Sequence, residues 1–187
     1  MKKASKDSVS GSGRKFCAFL RGVNVKGTNM KMAEVCAVFE KAGMKDVSSV
    51  LASGNILFSS EKEEEELKRI LEKSMSEHFS YEAFLFVKSQ QEIEKIFRET
   101  PFEANAEYYI YIFVGVEGIA KILMMEFEKS RKASGEEAQL RGRNFYWKIS
   151  KGNTLGSEFG KILGRKKLKD SFTSRNLNTF EKVLKKL

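Results

Sequence analysis

The sequence holds a single histidine, His78, and that scarcity removes several chemistries together. With no second histidine and no cysteine at ligand spacing beside it, neither a zinc centre nor a Ser-His-Asp arrangement is expected. His78 sits on the inner or boundary face of an expected helix and reads as an ordinary structural residue. A phosphate loop, a G-x-G-x-x-G turn and an H-E-x-x-H helix are likewise absent. The carboxylates fall mostly on solvent faces of helices, so no pair stands out for acid-base work, and no cofactor is expected. Long apolar runs are missing too: Ile110 to Val116 is far short of the roughly 20 residues a membrane helix needs, and no charged-then-apolar leader opens the chain. A cytoplasmic protein with no membrane partner is the expectation.

What is present suits a globular fold. Of 187 residues, 41% are apolar and 11% aromatic, enough for one full core or two small packed lobes. The two cysteines lie among apolar neighbours, Cys17 in Phe16-Cys17-Ala18-Phe19 and Cys36 in Val35-Cys36-Ala37-Val38, the setting of buried reduced thiols. The formal charge of +9 invites a nucleic-acid reading, but its location decides how far. Residues 1–15 hold five Lys/Arg against one acid and residues 161–187 hold nine against two, which leaves residues 16–160 at −2. The first of these excesses lies in Met1 to Gly13, a Lys/Ser/Gly stretch expected to be a disordered leader, residues 1–14. The second includes Arg165-Lys166-Lys167-Leu168-Lys169, which reads first as a solvated helix end or loop and second as an anion contact.

Hydrophobic spacing gives an element order. Lys15 to Leu20 is a β-type run followed by a Gly/Asn/Lys loop, and Met32, Val35, Cys36, Phe39 and Ala42 recur at helical spacing with Gly43 as the stop. Val47 to Leu51 and Asn55 to Phe58 are two strands around Ala52-Ser53-Gly54. A helix through Leu67, Ile70, Leu71 and Met75 follows the acidic run Glu63 to Glu66, and Ala83 to Val87 is a further strand. Residues 15–88 thus read β-α-β-β-α-β, the order of a ferredoxin-like lobe. Ser89 with Glu92 opens a connecting helix that Thr100-Pro101 closes. The same order then recurs over residues 89–187: a strand Tyr108 to Val114, a helix Gly118 to Glu128, a hairpin across Arg141-Gly142-Arg143-Asn144, a short helix at Phe159, Ile162 and Leu163, and a last strand Lys169 to Thr173. Asn178 with Glu181 caps an additional C-terminal helix, Phe180 to Leu187. The expected fold is α+β: two tandem ferredoxin-like lobes, each an antiparallel sheet covered by helices, related by duplication.

Three polar segments stand at the ends of these strands. Arg21-Gly22-Val23-Asn24-Val25-Lys26-Gly27-Thr28-Asn29 links strand to helix, where backbone amides, an Arg fork and Asn or Lys side chains can converge on an anion. Ser53-Gly54-Asn55 interrupts an apolar segment at the next strand end, and Thr173-Ser174-Arg175-Asn176-Leu177-Asn178-Thr179 brings a second Arg and two Asn beside the terminal helix. Turn, cap and loop-bridging roles account for each segment taken singly. Taken together, Arg21, Asn24, Lys26, Ser53, Asn55, Arg175 and Asn176 are candidate ligand-binding residues.

The same segments carry a family resemblance. Phe19-Leu20-Arg21-Gly22-Val23-Asn24-Val25 with Met32-Ala33-Glu34, then Ser53-Gly54-Asn55-Ile56-Leu57-Phe58, then Thr173 to Thr179 resemble, in order and separation, the family catalogued as domain of unknown function 1697. The resemblance runs from about residue 15 to the C-terminus. It implies a bacterial-type α+β protein of two similar lobes and implies no activity. Two positions depart from the family pattern: Leu177 stands where an aromatic Trp is usual, and in Gly152-Asn153-Thr154-Leu155-Gly156-Ser157-Glu158 a glutamate replaces the usual lysine.

The expected function is therefore binding of an anionic small molecule or nucleotide in a cleft between lobes. Two alternatives remain: RNA or DNA binding by a sheet face bearing Tyr109, Tyr111, Phe145 and Trp147 together with the C-terminal basic patch, and an enzyme whose Lys or Glu has an acidity moved by burial.

Overall fold

The computed structural model describes residues 13–23, 30–168 and 170–187. Residues 1–12 of the expected leader lie outside these residues, and Arg14 already belongs to the first strand. The first half runs β1 (Arg14–Leu20), α1 (Met32–Lys41), β2 (Lys45–Val50), β3 (Asn55–Ser60), α2 (Glu64–Phe79) and β4 (Leu85–Ser89). After α3 (Gln90–Arg98) come β5 (Tyr108–Gly115), α4 (Ile119–Lys129), β6 (Glu137–Arg141), β7 (Asn144–Ser150), α5 (Glu158–Leu163), β8 (Phe172–Asn176) and α6 (Leu177–Leu184). The strands form two four-stranded antiparallel sheets, in the orders β2-β3-β1-β4 and β6-β7-β5-β8. The molecule is mixed α+β, with two sheets and six helices among the described residues forming two lobes.

Side chains alternate along a strand, so the two faces of β1 can be read separately. Phe16, Ala18 and Leu20 pack beneath α1 and α2 with Val35, Phe39, Leu67 and Leu71. Cys17 and Phe19 point the other way, into a core that also contains Ile93 and Ile96 of α3, Phe180 and Val183 of α6, and Ile110, Ile112 and Val114 of β5. The far face of the second sheet, with Phe113, Phe145 and Trp147, is covered by Leu123 of α4 and Phe159 of α5. Five layers result: α1 and α2, the first sheet, α3 and α6, the second sheet, α4 and α5. The central helical layer glues the lobes, with Phe19 stacked on Phe180 at 5.3 Å and Tyr146 donating from its hydroxyl to the Ile96 carbonyl at 2.8 Å. Each aromatic so buried contributes about 1.5–3 kcal/mol.

Local chemistry sets the helix ends. Ser89 accepts a bond from the Glu92 amide and starts α3, as its spacing predicts. At α6 the expected cap is displaced by two residues: Asn176, and not Asn178, accepts from the Thr179 amide at 3.0 Å and its hydroxyl at 2.9 Å. The helix begins there because Leu177 and Phe180 both turn into the central core. The expected last strand is shifted likewise. Phe172–Asn176, read as mostly loop, pairs with β5 because Phe172 and Thr173 are buried against it. Cys17 is buried and unpaired as expected, whereas Cys36 is only half-buried. No helix among the described residues is long and apolar enough to cross a membrane.

Candidate functional site

Arg175 lies in β8 opposite Ile112, so its side chain enters the central layer and reaches across it to the first sheet. Its Nε donates to Asn55 Oδ1 at 2.6 Å. Its Nη2 meets the carbonyls of Leu20 at 2.7 Å, Ser53 at 2.8 Å and Gly54 at 3.2 Å, and its Nη1 meets Thr173 Oγ1 at 2.7 Å and the Ser174 carbonyl at 2.9 Å. Each of the guanidinium's five N–H donors therefore has a protein oxygen within reach. Every one of those acceptors is neutral. The structure thus brings the second and third polar segments, with Leu20 immediately before the first, together around one cation, which is only 8% exposed.

The turn held by this cation is strained. Leu51 has φ 60° and Gly54 φ 75°. A β-carbon on Gly54 would lie 2.5 Å from Val23 Cγ2, so conformation and space both demand glycine. Asn55, fully buried, completes the turn: its Nδ2 donates to the Val50 carbonyl at 2.8 Å and to Ser53 Oγ at 3.0 Å. Ser53 itself is exposed at the tip.

Arg21 stands beside this knot, half-buried. Its guanidinium carbon lies 5.1 Å from the Phe172 ring centroid, and Nη1 donates to the Phe172 carbonyl. Burial lowers its proton affinity, while the Asp170 charge opposes that shift. Burial pushes Arg175 down to about 10, and the Arg21 charge acts in the same direction. The two guanidinium charges thus act on one another, with Asp170 offsetting part of the charge at Arg21. Cys17 nearby is fully buried, and burial pushes its thiol up.

Of the remaining candidates, Asn176 spends its side-chain oxygen on the α6 cap. Asn24 and Lys26 lie outside the described residues. The aromatic platform expected for nucleic acid is not available for stacking, because Phe145 and Trp147 are buried beneath α4 and α5 and Tyr109 and Tyr111 are half-buried against the same core. In the C-terminal basic run, Arg165 and Lys167 pair with Glu126 of α4 at 3.2 and 3.6 Å. His78 bonds Glu34 at 2.9 Å and so ties α2 to α1.

A second feature escaped the sequence reading. A groove of about 640 Å³ opens between the lobes, with α2, β4 and α3 on one wall and the end of β5, the start of α4 and the β6-β7 turn on the other. On the first wall Lys88 sits 3.1 Å from both Glu64 and Glu92. Glu64 also accepts the Ser89 amide at 2.7 Å. Burial, then a hydrogen bond with Glu92, raises the Glu64 carboxyl above the ordinary range. Burial acts upward on Glu92 too, but the bond to Glu64 and the Lys88 charge outweigh it and leave Glu92 low. Lys88 and Glu92 are four residues apart across the β4-α3 junction, whereas Glu64 arrives from α2.

Residues 14–146 match the sequence model of a family described as "Protein of unknown function (DUF1697)". Among solved structures, the chain is similar to the conserved bacterial protein SP0830 from Streptococcus pneumoniae. The identity is 22% and the TM-score 0.74, with 93% of this chain and 98% of that one covered, a likeness of fold. No curated protein matches the chain.

Proposed function

We propose a binding function for this chain, which belongs to the DUF1697 family of proteins of unknown function: it takes an anionic small molecule, such as a phosphorylated metabolite or nucleotide, at the inter-lobe seam beside Arg21. The observation that carries the reading is a cation, Arg175, solvated wholly by neutral oxygens with a second guanidinium beside it. Burying one charge is costly unless it is compensated, and placing two of one sign together adds repulsion, which Asp170 offsets at Arg21 and a bound anion would relieve further. Strain in the adjoining turn, at Leu51, is of the kind that collects at ligand clamps.

In this reading the candidate residues divide by role. Arg21, with Asn24 and Lys26 that follow it in sequence, contacts the ligand, and exposed Ser53 borders it. Arg175 and Asn55 set the seam and its positive potential, and Asn176 fixes the helix behind. Both lobes are ferredoxin-like units of residues 15–88 and 89–187, related by duplication, a view supported by the recurrence of element order and strand order. Two unpaired cysteines agree with a cytoplasmic setting. Titration with nucleotides and inorganic phosphate tests the reading. Arg21→Ala should lose about tenfold or more in affinity, the scale of one charge-assisted bond, and equal binding by the variant would end it.

A further inference from the structure

A strand at the edge of a sheet leaves a row of backbone groups unpaired, and the edges of these two sheets differ in how they are guarded. β4 and β8 approach one another at the lobe boundary. β2 shifts register between Lys45 and Ser48, with Asp46 at φ 52°, and a strand so interrupted is a poor template. β6 has no such interruption: its five residues pair with β7 in regular register, from Glu137 opposite Lys148 to Arg141 opposite Asn144. Which of its backbone groups are free follows from β7. The Lys151 amide donates to the Glu107 carbonyl at 2.9 Å, so Phe145, Trp147 and Ile149 bond to β5, and Asn144, Tyr146 and Lys148 bond to β6. Glu137, Gln139 and Arg141 therefore commit their backbone groups to β7, and the N–H and C=O of Ala138 and Leu140 point out from the edge. The side chains alternate as well. Ala138 and Leu140 pack against the core beneath α4, and Glu137, Gln139 and Arg141 share the opposite face, with Glu137 and Arg141 exposed.

We propose that β6 is a docking edge for a second copy of this chain, the two strands pairing antiparallel about a twofold axis at Gln139. The charge pattern of Glu137-Ala138-Gln139-Leu140-Arg141 carries the choice of partner, because it is complementary to its own reverse. In that register Ala138 of one copy exchanges backbone bonds with Leu140 of the other, using the groups that point outward. Glu137 then faces Arg141 of the other copy, twice over by symmetry, and the two Gln139 amides meet on the axis, all at the positions where side chains across an antiparallel pair lie closest. Glu137 bonds Lys148 through Oε1, which leaves Oε2 for the new pair. Against an unrelated strand the same two charges discourage pairing; against a second copy they direct it. The layer above fits the same axis. α4 lies over β6 and β7, and Glu126 marks its flank toward Arg165 and Lys167 beyond α5. Lys121, Met124 and Glu128 lie on the other flank, so the axis brings Lys121 of one α4 toward Glu128 of its mate. Two four-stranded sheets become one continuous sheet, and no part of the proposal depends on the Arg21 seam.

Sedimentation of the intact chain over a range of concentrations tests this. A short strand pair is a small interface, so the expected result is a reversible monomer-dimer equilibrium with a Kd of about 10–1000 μM. Arg141→Glu and Glu137→Lys each set like charges opposite one another in the pair and should each weaken association about tenfold or more, with melting temperatures close to the parent's. An equimolar mixture of these two variants should associate as well as the parent, since each strand then meets its opposite charge. Ala138→Pro removes an outward N–H and no bond to β7, and it should abolish the dimer. The proposal is overturned if the chain stays monomeric up to about 1 mM, if Arg141→Glu and Glu137→Lys dimerise as well as the parent, or if their mixture associates no better than either alone.

Discussion

A lysine at position 175 would keep the charge and lose the geometry. The guanidinium of Arg175 spreads its bonds over Asn55, Thr173, Ser174, Leu20, Ser53 and Gly54, whereas an ammonium has three donors converging on one point. Arg175→Lys should therefore cost about 2 kcal/mol, and Arg175→Met, which strands several buried acceptors, about 3 kcal/mol or more. Chemical denaturation checks both, and a loss under about 0.5 kcal/mol for Arg175→Met would mean that these bonds do not hold the seam. The sequence pointed to Arg175 and Asn55 as polar residues out of place among apolar strands. It could not distinguish donors awaiting a ligand from donors already spent on carbonyls, because those of Leu20, Ser53 and Gly54 lie more than a hundred positions from Arg175. A second residue-scale consequence concerns Glu64. Its carboxyl is held above the ordinary range by burial and by Glu92, so the folded state binds that proton more tightly than the unfolded one. The stability it brings is complete below about pH 4.3, the unperturbed glutamate value, and is lost as pH rises through the folded value. Glu64→Gln keeps an acceptor for the Ser89 amide and should flatten that part of the melting-temperature profile. An unchanged slope would show that Glu64 does not titrate high.

At the scale of elements, the helix cap is the sharpest contrast between reading and structure. The spacing of Asn178 and Glu181 matches a capping box, yet Asn176 holds the Thr179 amide. Asn176→Ala should cost about 1 kcal/mol, and Asn178→Ala, on an exposed helical position, under about 0.5 kcal/mol. Equal losses would contradict the assigned helix start. The displacement has a packing cause: Leu177, Phe180 and Val183 must share the face that enters the central core, and that phase starts the helix two residues early. Thr173 to Asn176 misled in the same way, since residues with turn and cap habits become strand when a neighbouring strand and a buried Phe172 impose it. Elements with strong internal periodicity, such as α2 with Leu67, Leu71 and Met75, were legible directly.

At the scale of the whole molecule, the β-α-β-β-α-β order of each half was legible, but the central layer was not. Nothing local says that α3 and α6 fill the space between the sheets. One signal was available: Phe16 to Leu20 is apolar on both faces, the pattern of a strand covered on two sides. On the far face of the second sheet α4 and α5 cover the aromatic residues, and two polar features stand at the lobe boundary, the Arg21-Arg175 seam and the Glu64-Lys88-Glu92 groove. Held together by Arg175 and the aromatic core, the lobes present these features on a fixed frame, which favours holding a ligand without the cost of ordering the site. The measurement that bears most directly on this account is the affinity of nucleotides and inorganic phosphate for the parent chain and for Arg21→Ala, with both melting temperatures recorded. The account predicts binding by the parent, a loss of about tenfold or more in the variant and closely similar melting temperatures. Binding that survives Arg21→Ala, or a parent chain that binds none of these anions, would contradict it.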